Sequence, residues 1–324
     1  MNDLKPSRSV EGCLPPAAGE ARARRRGFSL IEILVVVSLL SLIVLVLMTV
    51  FNSTQAAFRA GVTQTDVLEG SRSAMELIVS DLKLMSPSDG PTNYFLSPFG
   101  FYDINFFAGL NNYENPNYSL PLIQNLPGSS QLRTNVLEDI FWLSRQNING
   151  HDSWVGTGYT VIATNASPLF PLYRFVTNAP ASTDPTSLLV GFLAAIQNNA
   201  FTNTGWSHLI DGVLDFRVQP FDLNGYAMTN GFQFNAGQYT TYPNTAFFYP
   251  PPPYGAAGFY FLSNSIPASV DIQMSTLEDA VLRRAESFGS PGLAQSNYLA
   301  QEAGRVHVFR QRVILPNVDP SAYP

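Results

Sequence analysis

The sequence predicts an α+β protein in which one long N-terminal helix, half transmembrane and half amphipathic, packs on a mainly antiparallel β-sheet domain. Three observations predict it: an apolar run from Phe28 to Phe51, an amphipathic pattern that continues it to Met85, and strand-like runs between Val136 and Leu315. At roughly 150 residues per domain, 324 residues suggest two domains, but about 230 remain beyond the long helix and one β-rich domain accommodates them.

The first element is the apolar run. Glu32 is its only ionisable side chain, and a helix from Phe28 to Phe51 spans roughly 36 Å, enough to cross a bilayer. Arg22, Arg24, Arg25 and Arg26 precede it and the next basic residue is Arg59, an asymmetry that keeps the N-terminus cytoplasmic and places the rest outside. No small-residue cleavage pattern follows in MTVFNSTQAAF, which disfavours an ordinary secretory signal. Glu32 demands a reason, because an acidic side chain costs about 2.5–3.5 kcal/mol near the centre of a membrane helix and less near its end. Snorkelling to the cytoplasmic interface is the plain reading; a partner for the carboxylate is the functional one.

The second element continues the first. Phe58, Val62, Leu68, Met75, Ile78, Val79, Leu82 and Met85 recur mostly at three- and four-residue steps, and Asp66, Glu69, Arg72, Glu76, Asp81 and Lys83 form the expected solvated or subunit-facing surface. Gly61 and Gly70 each weaken the helix by about 1 kcal/mol relative to Ala. Ser86-Pro87 ends it. The whole helix would be about 87 Å long, so its first half is expected to protrude from any single domain.

Residues 87–131 are rich in Pro, Gly, Asn and aromatics without a sustained period, and read as a long loop insertion in a globular domain spanning 87–316. Strands are expected at VLEDIFWLS, GYTVIAT, LYRFVT, VLDFRVQPFD, GFYFLS, SVDIQMS and RVHVFRQRVIL. TLEDAVLRRAESF reads as a helix capped by Thr276, acidic first and basic later. Pro250 to Pro253 favour an extended polyproline segment, and 317–324 reads as a tail.

Composition narrows the chemistry. The first 27 residues hold six Lys/Arg and three Asp/Glu, so the remainder holds twelve and twenty-one, a net charge of −9 within the total of −6. That balance, with scattered basic residues, argues against nucleic acid as a partner. Cys13 is the one cysteine, so no disulfide forms within the chain. His151, His208 and His307 lack metal-ligand spacing and are expected at the surface or at sheet edges. Gly156-Thr157-Gly158 lacks the rest of a phosphate loop, and Asp222-Leu-Asn-Gly225 reads as a turn rather than a calcium loop. No catalytic residue, metal site or cofactor is indicated, although Asp211, Asp215 and Asp222 are carboxylates that could meet in space.

The stretch RGFSLIEILVVVSLL, Arg26 to Leu40, resembles the class III signal of type IV pilins and of the pseudopilins of type II secretion. The resemblance implies a leader over 1–27, cut between Gly27 and Phe28 by a membrane-embedded prepilin peptidase that then methylates the Phe28 amine. It implies that Arg24, Arg25 and Arg26 orient the leader for that enzyme. Glu32 becomes the fifth mature residue, whose carboxylate attracts the terminal ammonium of a neighbouring subunit. Charges about 4 Å apart attract by up to ~4 kcal/mol at an effective dielectric of 20.

Farther along, SRSAMELIVSDLK, LIDGVLDFRVQPFDLNG, SIPASVDIQMS and GRVHVFRQRVILPN resemble parts of large minor pseudopilins, the J-type subunit of type II secretion and the W-type minor pilins. The chain is also similar to the verrucomicrobial prepilin-type cassette protein C. These resemblances imply a transmembrane helix over 28–51, its amphipathic continuation over 52–86, a periplasmic domain, and a bacterial inner-membrane location before extraction into a filament. The implied partners are the prepilin peptidase, other pilin or pseudopilin subunits, the inner-membrane assembly platform and the membrane. A membrane-tethered binding module for a glycan or a protein is the competing expectation; an anchored enzyme ranks last.

Overall fold

A computed structural model describes residues 29–88, 104–110, 122–162, 169–198, 201, 204–228, 245–248, 258–288 and 293–323. The chain divides into two compact units, Met1–Ala57 and Phe58–Pro324. Helix α1, Leu30–Leu82, runs through the boundary.

In the second unit α1 turns one stripe inward. Ala74, Met75, Ile78, Val79 and Leu82, with Met85 just beyond, are buried at three- and four-residue steps, as the periodicity predicts. Phe58 and Val62, expected in the same stripe, are exposed. Buried contact begins only at Ser71, whose hydroxyl meets Thr276 Oγ1 at 3.0 Å.

Twelve strands are described: β1 Ile104–Leu110, β2 Leu122–Asn125, β3 Leu132–Asn135, β4 Glu138–Ile148, β5 His151–Val161, β6 Leu172–Pro180, β7 Trp206–Ile210, β8 Val213–Phe221, β9 Thr245–Phe248, β10 Gly258–Leu262, β11 Ser269–Leu277 and β12 Val306–Ile314. They form a seven-stranded sheet in the order β7-β6-β5-β4-β1-β10-β9, a three-stranded sheet β12-β11-β8 and the hairpin β2-β3. Every strand pair is antiparallel. The α+β architecture of a long apolar helix followed by a mainly antiparallel sheet domain is therefore present, and it is consistent with a pilin-like fold.

One face of the large sheet, through Phe106, Ile140, Trp142 and Tyr159, shares a core with α1 and with Phe216, Ile272 and Met274 of the small sheet. The opposite face, through Phe107, Phe141, Leu143 and Phe175, is covered by helix α2, Thr186–Gln197. A strand buried on both faces reads as an unbroken apolar run rather than an alternating one, which accounts for Ile140 to Leu143. A third core joins helices α3, Asp279–Glu286, and α4, Leu293–Gln301, to Leu214 and Leu277.

Two glycines of β5 permit this packing. A Cβ on Gly156 would come 2.8 Å from Phe141, and one on Gly158 would come 2.5 Å from Phe192 of α2. The Gly-Thr-Gly motif is thus a seat for aromatic rings.

The structure corrects several expectations. The loop read over 87–131 contains β1, the strand between β4 and β10, and β2, the first strand of the hairpin β2-β3; residues 89–103 and 111–121 lie outside the described residues. Asp81, expected on the solvated surface, is buried: Arg174 donates Nε to its Oδ2 at 2.6 Å and Nη2 to its Oδ1 at 3.1 Å, and Tyr159 donates its hydroxyl at 2.6 Å. Trp142 Nε1 donates to the Asp81 carbonyl at 3.2 Å, so the end of α1 is pinned to β4, β5 and β6. Thr276 belongs to β11, and Glu278 occupies the α3 N-cap without a side-chain cap bond. The segment read as a tail folds back: Asn317 Nδ2 donates to the Met85 carbonyl at 2.8 Å, Ala322 is buried, and the Tyr323 hydroxyl donates to the Ile266 carbonyl. Pro250 to Pro253 lie outside the described residues.

Carboxylates lace the two larger sheets together. Asp215 Oδ1 accepts the Val136 N–H at 2.7 Å, and Glu138 Oε2 accepts the Val218 N–H at 2.7 Å. Burial pushes the Glu138 carboxyl up to about 8, against the lowering effects of the Val218 N–H and of Arg217.

Candidate functional site

The site is built on the first turn of α1. Ser29 precedes the helix; the Ser29 N–H donates to Glu32 Oε2 at 2.9 Å and the Glu32 N–H donates to Ser29 Oγ at 3.2 Å. This reciprocal pair is a capping box, in which an N-cap serine and the third helical residue satisfy each other's backbone donors. The negative charge of Glu32 also lies at the positive end of the helix dipole. The Ser-x-x-Glu spacing was legible in the sequence, but a reading centred on the membrane passes over it.

From Leu30 to Phe51 every large apolar side chain is exposed, on all sides of the helix. The helix is long and apolar enough to cross a membrane. Its hydroxyls are satisfied internally: Ser38 donates to Val35 O at 2.9 Å, Ser41 to Ser38 O at 2.8 Å, Thr49 to Leu45 O at 2.9 Å, and Ser53 and Thr54 to Val50 O at 2.8 Å. Such back-bonding removes the cost of placing them in lipid. Glu32 remains the one ionisable group of the segment, and among the described residues its Oε1 accepts no hydrogen bond.

Gly27, Phe28 and Arg24, Arg25 and Arg26 lie outside the described residues. The other candidates are kept apart. His208 pairs with Asp211 at 2.7 Å on the edge strand β7, His307 of edge strand β12 lies 3.6 Å from Glu278, and His151 is exposed at the start of β5. Asp215 is held by Arg217, Gln273 and the Val136 N–H. Asp222 accepts the N–H groups of Asn224 and Tyr226 at 3.0 and 2.8 Å, and Gly225, at φ +80°, donates back to the Asp222 carbonyl, which makes Asp222–Gly225 a turn. Among the described residues no group of three or more His, Cys, Asp or Glu is placed to hold a metal ion.

Residues 22–48 match the family model of the prokaryotic N-terminal methylation motif. No curated protein and no solved structure matches the chain. The match spans the arginine cluster, Gly27, Phe28, Glu32 and most of the apolar run, and with α1, the one helix among the described residues long and apolar enough to cross a membrane, it fits a single-pass membrane-anchored protein. The motif implies processing by a prepilin peptidase and assembly among pilin subunits, and so supports placing the chain in the type IV pilin-like superfamily.

Proposed function

We propose that the chain is a minor pilin or pseudopilin. Prepilin peptidase cuts after Gly27, Phe28 becomes the N-methylated terminus, and the subunit assembles into, or at the tip of, a type II secretion pseudopilus or type IV pilus-like filament. The observation that carries this reading is the methylation-motif match over residues 22–48. Arg24, Arg25 and Arg26 hold the leader at the cytoplasmic face of the bacterial inner membrane and present the cut site to the peptidase. The β-rich domain lies in the periplasm until an inner-membrane assembly platform extracts the subunit. In this reading the protein is a structural subunit, not an enzyme, and uses no cofactor.

Glu32 then has two duties. Its Oε2 caps the helix through the Ser29 N–H, and its Oε1 accepts the ammonium of a neighbouring subunit's terminal residue. The two are separable, because glutamine fills the third position of a capping box as well as glutamate does. Glu32→Gln should insert in the membrane and retain the helix start yet lose copurification with partner pilin subunits, as Glu32→Ala does. Copurification retained by Glu32→Gln and lost by Glu32→Ala would reduce the role of Glu32 to capping.

A further inference from the structure

Among the described residues, β12 is the long sheet edge with no proline, register shift or covering strand. At the opposite edge of its sheet, β8 carries Pro220, shifts register against Ser275 and Thr276, and is laced to Val136 and Glu138. Of the large sheet's edges, β7 has five residues and a register shift, and β9 has four. By contrast, β12 pairs in unbroken register along its nine residues, from Val306 opposite Leu277 to Ile314 opposite Ser269. Native sheets normally shorten, bend or cover such an edge, because its free backbone groups template another strand.

The direction of those groups is fixed by the ladder. The Leu315 N–H donates to the Ala268 carbonyl and the Arg305 carbonyl accepts the Glu278 N–H, so odd-numbered residues face β11. By alternation Val306, Val308, Arg310, Arg312 and Ile314 direct their N–H and C=O groups to the open edge. No described strand pairs there. Side chains of these same residues stand on one face of the sheet. Val308 and Ile314 are 51% and 75% exposed. Between them Arg310 and Arg312 each reach Asp271 at 2.8 Å, two guanidinium groups on one carboxylate, and Arg312 is held flat over the Phe221 ring at 3.8 Å. The edge therefore presents ordered positive charge that Asp271 only partly compensates, on a chain whose net charge is −6.

We propose that β12 accepts an extended acidic segment of another protein chain as an added strand, with carboxylates at alternate positions meeting Arg310 and Arg312 and branched apolar side chains covering Val308 and Ile314. A second copy of β12 brings no carboxylate to this edge. Two-fold pairing about Arg310 sets that residue against itself, and pairing about Gln311 sets Arg310 against Arg312, like charges directly opposite in either case. In the assembly reading above the other chain is a neighbouring subunit, and to that extent the inference rests on it; strand addition itself needs no N-terminal processing.

The test uses the full chain in detergent micelles and the peptide Val-Thr-Glu-Thr-Glu-Thr-Val, whose alternate residues oppose Ile314, Arg312, Arg310 and Val308 on one face, with the same peptide carrying lysine for glutamate as control. Fluorescence anisotropy measures binding and amide hydrogen exchange locates it. The glutamate peptide should bind and slow exchange at Val308, Arg310 and Arg312. Val308→Pro removes one outward N–H without touching the β11 ladder and should weaken binding roughly tenfold. Arg310→Gln, which leaves the backbone alone and so decides the matter if the proline disturbs the strand, should weaken it roughly fivefold. The inference is overturned if the glutamate peptide does not bind at millimolar concentration, if the lysine peptide binds as well, if protection falls outside β12, or if the chain self-associates through this edge. Edge binding with an unprocessed N-terminus would sink only the assembly reading; processing without edge binding would sink only this inference.

Discussion

Asp81, Arg174 and Tyr159 form a buried ion-pair cluster that ties α1 to the large sheet, and removing the carboxylate leaves a guanidinium with a quarter of its surface exposed and without its Asp81 counter-charge. Breaking a buried pair from one side costs about 3–5 kcal/mol, so Asp81→Ala should lower the unfolding free energy by that order in urea titrations followed by circular dichroism. A loss under about 1 kcal/mol would mean that the cluster is screened as a surface pair is. Glu138 makes a pH prediction. Burial raises its folded-state pKa to about 8, above the ordinary carboxylate range, so the folded chain holds the proton more tightly than the unfolded one. Its contribution is full below the unfolded value and falls as pH rises towards 8, by up to about 1.4 kcal/mol per pH unit. Glu138→Gln, which keeps an acceptor for the Val218 N–H, should flatten stability over that window and leave the variant more stable than the wild type at pH 8. Parallel pH profiles of the two proteins would refute the assignment. Neither residue was legible in the sequence: Asp81 falls on the polar side of a helical pattern, and Glu138 interrupts a strand, so each looks solvated until the opposing strand is in place.

At the scale of elements, the strands were legible from polar–apolar alternation in some and from short runs of branched and aromatic residues in those, such as β4, that are buried on both faces. The strand β1 was not, because its residues Ile104 to Gly109 are buried on both faces and lie among Pro, Asn and Gly residues that dilute any period. Helix α2 was missed for a related reason: TSLLVGFLAAIQ is short, nearly uniform in polarity and interrupted by Gly191. Its buried side chains Leu188, Leu189, Phe192, Leu193 and Ile196 do follow helical spacing, which is the signal that could have found it. The seat of α2 on β5 depends on Gly158. Gly158→Ala should overpack Phe192 and cost about 1–3 kcal/mol, and a compensating Phe192→Leu should recover part of it in a double-mutant cycle. Additive losses would show that the ring does not rest on that glycine.

Over the whole molecule, the first unit holds the described part of the matched motif and the second holds the cores, and the sequence reported them unequally. The apolar run, the arginine cluster and Glu32 are local features, so composition and spacing were enough to find them. What the domain offers to other chains depends on which strands end at an edge, and edge status is a property of topology that no local pattern records. Helix α1 has two environments: residues to Phe51 that hide every hydroxyl and leave one carboxylate, and residues from Ser71 that complete the domain core. In the proposed function the leader is removed at Gly27 and Glu32 thereby gains an ammonium-bearing neighbour. The direct measurement is mass spectrometry of the N-terminal peptide after expression with and without a prepilin peptidase. N-methylated Phe28 should be the terminal residue only when the peptidase is present; an intact leader in both cases, or a terminus beyond residue 50, would refute processing at Gly27.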